Sequence, residues 1–167
     1  NLNRIILGLA IVEIIDKSIS ESNPQPILYR LSWRVLDKLN DENQNFWFVF
    51  IFFLYQLSLR LGFMPNLKSC SKCNEKMMRG GIDKYTGELL CSSCLIESGI
   101  QLMGNSFSVL KKLTCTHLDE LSTLSLKKKD IIDSIQLLDM FLSYHVEGMK
   151  KVKSMEMVRN ILNKEKN

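Results

Sequence analysis

Residues that break or staple a fold are scarce in this chain, which has three prolines, two histidines and five cysteines among 167 residues. With 46% apolar and 24% charged residues, so few prolines exclude a disordered chain and predict a folded globular one. Its length suits one ordinary domain with a single core. A secretory leader is missing ahead of the cysteines, and the chain is no small cysteine-dense scaffold, so paired disulfides are not expected. A membrane-spanning run is missing too. The stretch Phe46-Trp47-Phe48-Val49-Phe50-Ile51-Phe52-Phe53-Leu54-Tyr55 meets Gln56, Ser58 and Arg60 well short of the roughly twenty apolar residues a bilayer needs. It reads as a buried central helix.

Enzyme signatures are absent as well. There is no Walker phosphate loop, no Gly-x-Gly-x-x-Gly and no nucleophile elbow, and the carboxylates form no recognisable acid–base pair. A nucleobase deaminase needs His-x-Glu and Pro-Cys-x-x-Cys. Here no histidine precedes Cys70, and Ser69 and Leu90 stand before the two cysteine pairs. Cys115 and His117 lie close enough to bind metal or to form part of a nucleophilic site, against which stands the plainer reading of a buried thiol beside a polar side chain. His145 falls on the apolar stripe of a helix, the usual place of a hydrogen-bonded core histidine. Nothing in the sequence asks for an enzyme; a metal-dependent enzyme using Cys115, His117 or His145 is the weakest of three readings.

What is present is a metal-ligand pattern. Cys70-x-x-Cys73 and Cys91-x-x-Cys94 are separated by seventeen residues, the spacing of two zinc knuckles. Each turn aims two thiolates at one point, and two turns supply the tetrahedral sulfur set that Zn²⁺ prefers. Four thiolates also suit iron in a rubredoxin-like site. Because four cysteines close the coordination shell, the metal is expected to be structural rather than catalytic. Structural zinc is associated with roughly 10–16 kcal/mol of apparent binding free energy in short peptides, enough to set the fold of residues 66–98, which have almost no apolar core of their own.

Helical spacing dominates elsewhere. Leu2, Ile5, Ile6, Leu9, Val12 and Ile15 predict an opening helix to about Ile19. After a polar break in which Ser22 or Asn23 can cap, with Pro24 or Pro26 in the first turn, a second helix carries Ile27, Leu28, Leu31, Val35 and Leu39. The aromatic helix ends at Gly62, with Pro65 as a stop. Short strands are expected near Gly81–Tyr85 and Glu88–Leu90. Ile96–Leu113 predicts a further helix, interrupted at Gly104 and Asn105. Leu118–Leu126 is ambiguous. From Asp130 a helix bears Ile131, Ile135, Leu138, Leu142 and His145, and a last one over Ser154–Asn163 bears Met155, Val158, Ile161 and Leu162. The fold class is therefore mainly α, a helical bundle with an inserted four-cysteine module. Residues 1–65 form its first part, 66–98 the zinc module and 99–167 the completing helices.

The net charge of +4 lies in the tail, where Lys150, Lys151, Lys153, Arg159, Lys164 and Lys166 face only Glu156 and Glu165. Such an end suits an acidic partner or a solvated helix face equally well. Aromatics cluster at 46–55, away from these lysines, which weakens a nucleic-acid groove. Tyr85 is the isolated stacking candidate, with packing over the metal loop as the plainer reading.

One family has this order of parts. Helices lead through Gly62-Phe63-Met64-Pro65-Asn66-Leu67 into Cys70-Ser71-Lys72-Cys73, then a glycine-bearing loop reaches Cys91-Ser92-Ser93-Cys94, and helices follow to a Lys153-Ser154 step. The chain resembles the C-terminal region of the bacterial DNA repair protein RecO. That family normally begins with an OB-fold, so the chain looks like a piece lacking it. The resemblance implies a recombination mediator that binds DNA, anneals complementary single strands coated with SSB, and acts with RecR to load RecA. It further implies a helical domain with a zinc site whose positions Cys70, Cys73, Cys91 and Cys94 match one for one, and a cytoplasmic bacterial protein that joins the nucleoid during repair. Single-stranded DNA would be met mainly by the missing OB-fold. In some members this domain receives the acidic C-terminal tail of SSB. No motif locates that site here, and Lys150, Lys151, Lys153 and Arg159 are its candidates on charge alone. The rival reading from another class is a zinc-braced helical interaction module, such as a transcription adaptor.

Overall fold

In the computed structural model, residues 1–19, 25–63, 66–95, 100–102 and 104–166 are described. Helix α1 (Leu2–Ser18) opens on Asn1, whose side chain accepts a hydrogen bond from the Asn3 amide at 3.0 Å. Its buried arc is Ile6, Leu7, Ala10, Ile11 and Ile14. This corrects the predicted stripe: of its residues Ile6 is buried and Ile15 half-buried, while Leu2, Ile5, Leu9 and Val12 are each more than half exposed. An all-round apolar helix satisfies the helical period on either face, so polar anchors set its rotation. Arg4 and Glu13 stand at the two edges of the buried arc, and each is tied to another element. The Arg4 guanidinium donates to the carbonyls of Asp41 at 2.9 Å and Gln44 at 2.7 Å, as well as to those of Leu39 and Glu42, and sits 5.4 Å from the Phe46 ring centre.

Helix α2 (Pro26–Asn40) begins with Pro26 in its first turn after Gln25; Ser22, Asn23 and Pro24 lie outside the described residues. Leu28, Leu31, Val35 and Leu39 are buried as expected, whereas Ile27 is exposed. Asn45 caps helix α3 (Phe46–Arg60) by accepting from the Trp47 amide at 3.0 Å. The helix ends in a Schellman turn, with Gly62 at φ +84°, the Phe63 amide donating to Ser58 at 2.8 Å and the Gly62 amide to Leu59 at 3.2 Å. Eleven of the fifteen residues of α3 are buried, because α1, α2, α4 and α5 all pack against it. It is the central helix, and no helix among the described residues is long and apolar enough to cross a membrane.

The inserted module is a three-stranded antiparallel sheet in the order β2-β1-β3, built from β1 (Gly80–Ile82), β2 (Leu89–Cys91) and β3 (Ile100–Leu102). Gly80 pairs with Cys91 on one side and Leu102 on the other. Strand β3 falls where the sequence suggested helix. Three residues are too few to show a period, and their pairing is with a distant segment. The module also has apolar substance: Leu67, Met77, Ile82, Leu89 and Leu95 are buried and continuous with the main core. That corrects the expectation of a loop with almost no core.

Helix α4 (Gly104–Cys115) and a 3-10 turn (Leu118–Thr123) lead into helix α5 (Lys128–His145). Two flanks of α5 are buried, since α3 and α4 pack on it and strands β1 and β3 touch it. A second 3-10 turn (Glu147–Lys151) connects to helix α6 (Ser154–Lys166), which runs three residues past its expected end and packs on α1.

A candidate metal centre and the grooves beside it

Two tight turns build the four-sulfur cluster. In the first, the Cys70 amide donates to Glu75 at 2.9 Å, the Asn74 amide returns to Cys70 at 3.0 Å, and Asn74 takes φ 60°, a left-handed conformation that Asn tolerates. In the second, Cys91 accepts from the amides of Cys94 and Leu95 at 3.0 and 2.9 Å. The turns are locked together by the Ser71 amide donating to Leu89 at 3.0 Å. The Sγ atoms of Cys70, Cys73, Cys91 and Cys94 lie within 4.8 Å of one another.

That geometry fits a four-coordinate metal. A tetrahedron with metal–sulfur bonds of about 2.3 Å has sulfur–sulfur edges of about 3.8 Å. Cys73 Sγ and Cys91 Sγ are 3.7 Å apart, far beyond the roughly 2.05 Å of a disulfide. Burial works against a Cys70 thiolate, yet amide donors from Cys73, Cys91 and Lys72 outweigh it and hold the thiol down at about 6. The Cys91 amide points at this sulfur from 3.3 Å. Cys94 is pushed up to about 12 by its neighbours Cys73 and Cys91. Crowded thiols of this kind resist joint ionisation, and a divalent cation removes the conflict. The chain can hold a metal at Cys70, Cys73, Cys91 and Cys94, and zinc suits the donor set.

Other candidates stand elsewhere. Cys115 and His117 are both exposed, so the buried-thiol reading of Cys115 is corrected, and neither joins the cluster. His145 is half-buried between two rings, with Phe141 at 4.4 Å and Phe63 at 5.4 Å between centroids, rather than in a polar core niche. Tyr85 is 75% exposed with the Lys84 ammonium 5.1 Å from its ring, and it lines a groove together with Ser71, Lys72 and Cys94 of the metal loop. The hairpin tip that carries it is shaped by Asp83, whose carboxylate accepts from the Tyr85 amide at 2.9 Å and the Thr86 hydroxyl at 3.2 Å.

The basic tail is divided by the fold. Lys150 and Arg159 line one groove together with Gln136, Asp139, Met140 and Tyr144. Lys151 lines a different groove on the other side of the 3-10 turn, where Lys17 and Phe63 join it. Lys153 is exposed at the start of α6, its amide donating to Glu13 at 2.9 Å. Within the first groove Asp139 binds Arg159 through two hydrogen bonds of 2.7 and 3.0 Å, which cancels one of its two positive charges. Asp139, Lys17 and Phe63 were beyond the reach of sequence reasoning, because only tertiary packing brings them beside the tail.

Comparison with known proteins agrees with this architecture. The family model described as "Recombination protein O C terminal" matches residues 1–156. A DNA repair protein RecO from Pelobacter propionicus is 27% identical over 169 residues, covering 98% of this chain and 64% of that protein. One from Listeria monocytogenes serotype 4b is 23% identical over 163 residues, covering 93% of this chain and 63% of its own length. The chain thus spans about 64% of the relative from Pelobacter propionicus. With the family model matching all but the last eleven residues, the chain belongs to the recombination protein O C-terminal family.

Proposed function

We propose that the chain is a non-catalytic part of a DNA repair and recombination mediator, in which a metal-braced helical bundle presents binding surfaces to SSB and to DNA. The observation that carries this reading is the match of the family model over residues 1–156. In the full reading the protein binds single-stranded DNA, anneals strands coated with SSB, and works with RecR to assist RecA loading in the bacterial cytoplasm. The four cysteines then serve as a structural zinc site.

The groove between α5, the 3-10 turn and α6 supports the SSB part of the reading. Met140 and Tyr144 give it apolar walls, and the Lys150 ammonium lies 6.0 Å from the Tyr144 ring centre. An acidic peptide finds a cation and apolar walls together there. Since Asp139 already holds Arg159, Lys150 carries the uncompensated charge.

The test is a fluorescence-anisotropy titration with a labelled peptide of the SSB C-terminal tail, a scrambled peptide serving as control. Selective, saturable binding that Lys150→Glu weakens severalfold is the expected result. Binding that does not discriminate between the peptides removes the SSB role from this chain. It would favour a zinc-braced interaction module of another kind, a reading that the exposed Leu9 and Trp33 would suit.

A further inference from the structure

Helix α1 turns one apolar face to the core and a second one to solvent. The outer face is Leu2, Ile5, Leu9 and Val12, each more than half exposed. Single exposed apolar residues are ordinary, but four in line on one helix are not. Their spacing of three, four and three residues is the a/d register of a coiled-coil seam, and the next position of that register is Asp16. Arg4 and Gly8 turn one side of the helix to α2, and Glu13 turns the other to α6. On the α6 side the exposed Met157 lines a groove together with Leu2, Lys128 and Lys164. On the α2 side stands Trp33, 67% exposed. Because Arg4 reaches Leu39 while Gly8 faces Leu36 and Leu39, α2 runs antiparallel to α1, which brings Trp33 level with Val12.

We infer that this seam joins two copies of the chain, with α1 lying antiparallel against α1 of the second copy about a two-fold axis. The register is one that a helix fills, and the two-fold makes the face its own complement: Leu2 meets Val12 of the second copy, and Ile5 meets its Leu9. Charge selects the direction. A parallel pair would set Asp16 against Asp16, whereas the antiparallel one carries Asp16 past Leu2 of the second copy, to the helix N-terminus beside the groove of Lys128 and Lys164. The ion pair of Asp16 with the adjacent Lys17 is exposed and weak, so the carboxylate is not withheld from that contact. Area agrees. The four seam side chains expose roughly half of the ~800 Å² that each partner of a standard interface buries, and Met157 and Trp33 supply much of the rest. The seam uses no residue of the cysteine module or of the groove of Lys150 and Arg159, so a pair would carry two of each. The inference stands apart from the SSB and DNA readings.

The test is sedimentation equilibrium of the whole chain up to about 200 μM, since interfaces of standard size reach micromolar affinity or better. Ile5→Glu, Leu9→Lys and an equimolar mixture of the two are run beside the unaltered protein. Both side chains are exposed, and thermal melts confirm that the variants fold. The unaltered chain is expected to show a monomer–dimer equilibrium. Each variant alone is expected to weaken association by roughly tenfold or more, because it buries an unpaired charge twice in every dimer. The mixture is expected to recover the dimer, since the antiparallel register sets position 5 of one copy against position 9 of the other and so pairs the two introduced charges. A chain that stays monomeric over the whole range would overturn the inference and leave the seam to another protein or to the part of the longer relatives that this chain does not span. Dimers that survive both substitutions would place the contact elsewhere and overturn it too. A mixture that stays monomeric would overturn the antiparallel pairing.

Discussion

Glu13 caps a helix to which it does not belong. Its carboxylate accepts from the amides of Lys153 and Ser154 at 2.9 and 2.8 Å and from the Ser154 hydroxyl at 2.6 Å, satisfying donors that the first turn of α6 leaves without intrahelical partners. The Ser154 hydroxyl and amide, then the Lys153 amide, hold the Glu13 carboxyl at about 2 instead of 4.5. A carboxyl depressed in the folded state stabilises above its unfolded value and loses that contribution as pH falls towards the folded one. The Glu13 contribution is thus complete above about pH 4.5 and fades between there and about pH 2. Glu13→Gln should cost about 1 kcal/mol at pH 7, the scale of a lost cap, and lower Tm by a few degrees. Melts of both proteins from pH 7 to pH 2.5 should converge as the acid limb is reached. Identical melts at pH 7 would show that the latch contributes nothing.

At the scale of elements, legibility followed the kind of signal each segment carried. The cysteine spacing, the end of α3 at Gly62 and the buried stripe of α5 are local and were readable. The face of α1 was not, because Leu2, Ile5, Leu9 and Val12 obey the helical period as well as the buried set does, and the deciding bonds of Arg4 and Glu13 reach residues far along the chain. Strand β3 and the division of the tail lysines between two grooves share that cause. The join between hairpin and bundle is another non-local feature. Gly87 has φ +71°, and a Cβ placed there would lie 2.6 Å from Tyr144, whereas Gly62 has φ +84° with nothing within 4 Å. Both positions disfavour an L side chain by roughly 1–2 kcal/mol, but only Gly87 also pushes a neighbouring helix away. Gly87→Ala is therefore expected to lower Tm clearly more than Gly62→Ala. Equal losses in calorimetry would mean that the Tyr144 contact yields at no cost.

At the scale of the whole molecule, a metal held by the four cysteines would act on the fold through the module's contacts with the bundle. Zinc at a four-cysteine site brings roughly 10–16 kcal/mol of apparent binding free energy in peptides, as much as the entire stability of many domains. Yet the module is joined to the bundle on one side, where β1 and β3 meet α5, while the packing of α1 on α2 and α6 involves none of its residues. The buried Ile82, on the strand β1 that meets α5, argues that its loss does not stop at residue 95 and loosens the face of α5 beside that strand. Chelation, or Cys91→Ser, should then lower Tm by about 10 °C or more and release amide protection in residues 67–95 and along that face. Protection in α1 and α2 should persist, and most of the helical circular dichroism at 25 °C with it. If instead all helical signal vanished in one step with the metal, the bundle would have no independent stability, and the four cysteines would be the nucleus of the fold rather than a brace on one flank.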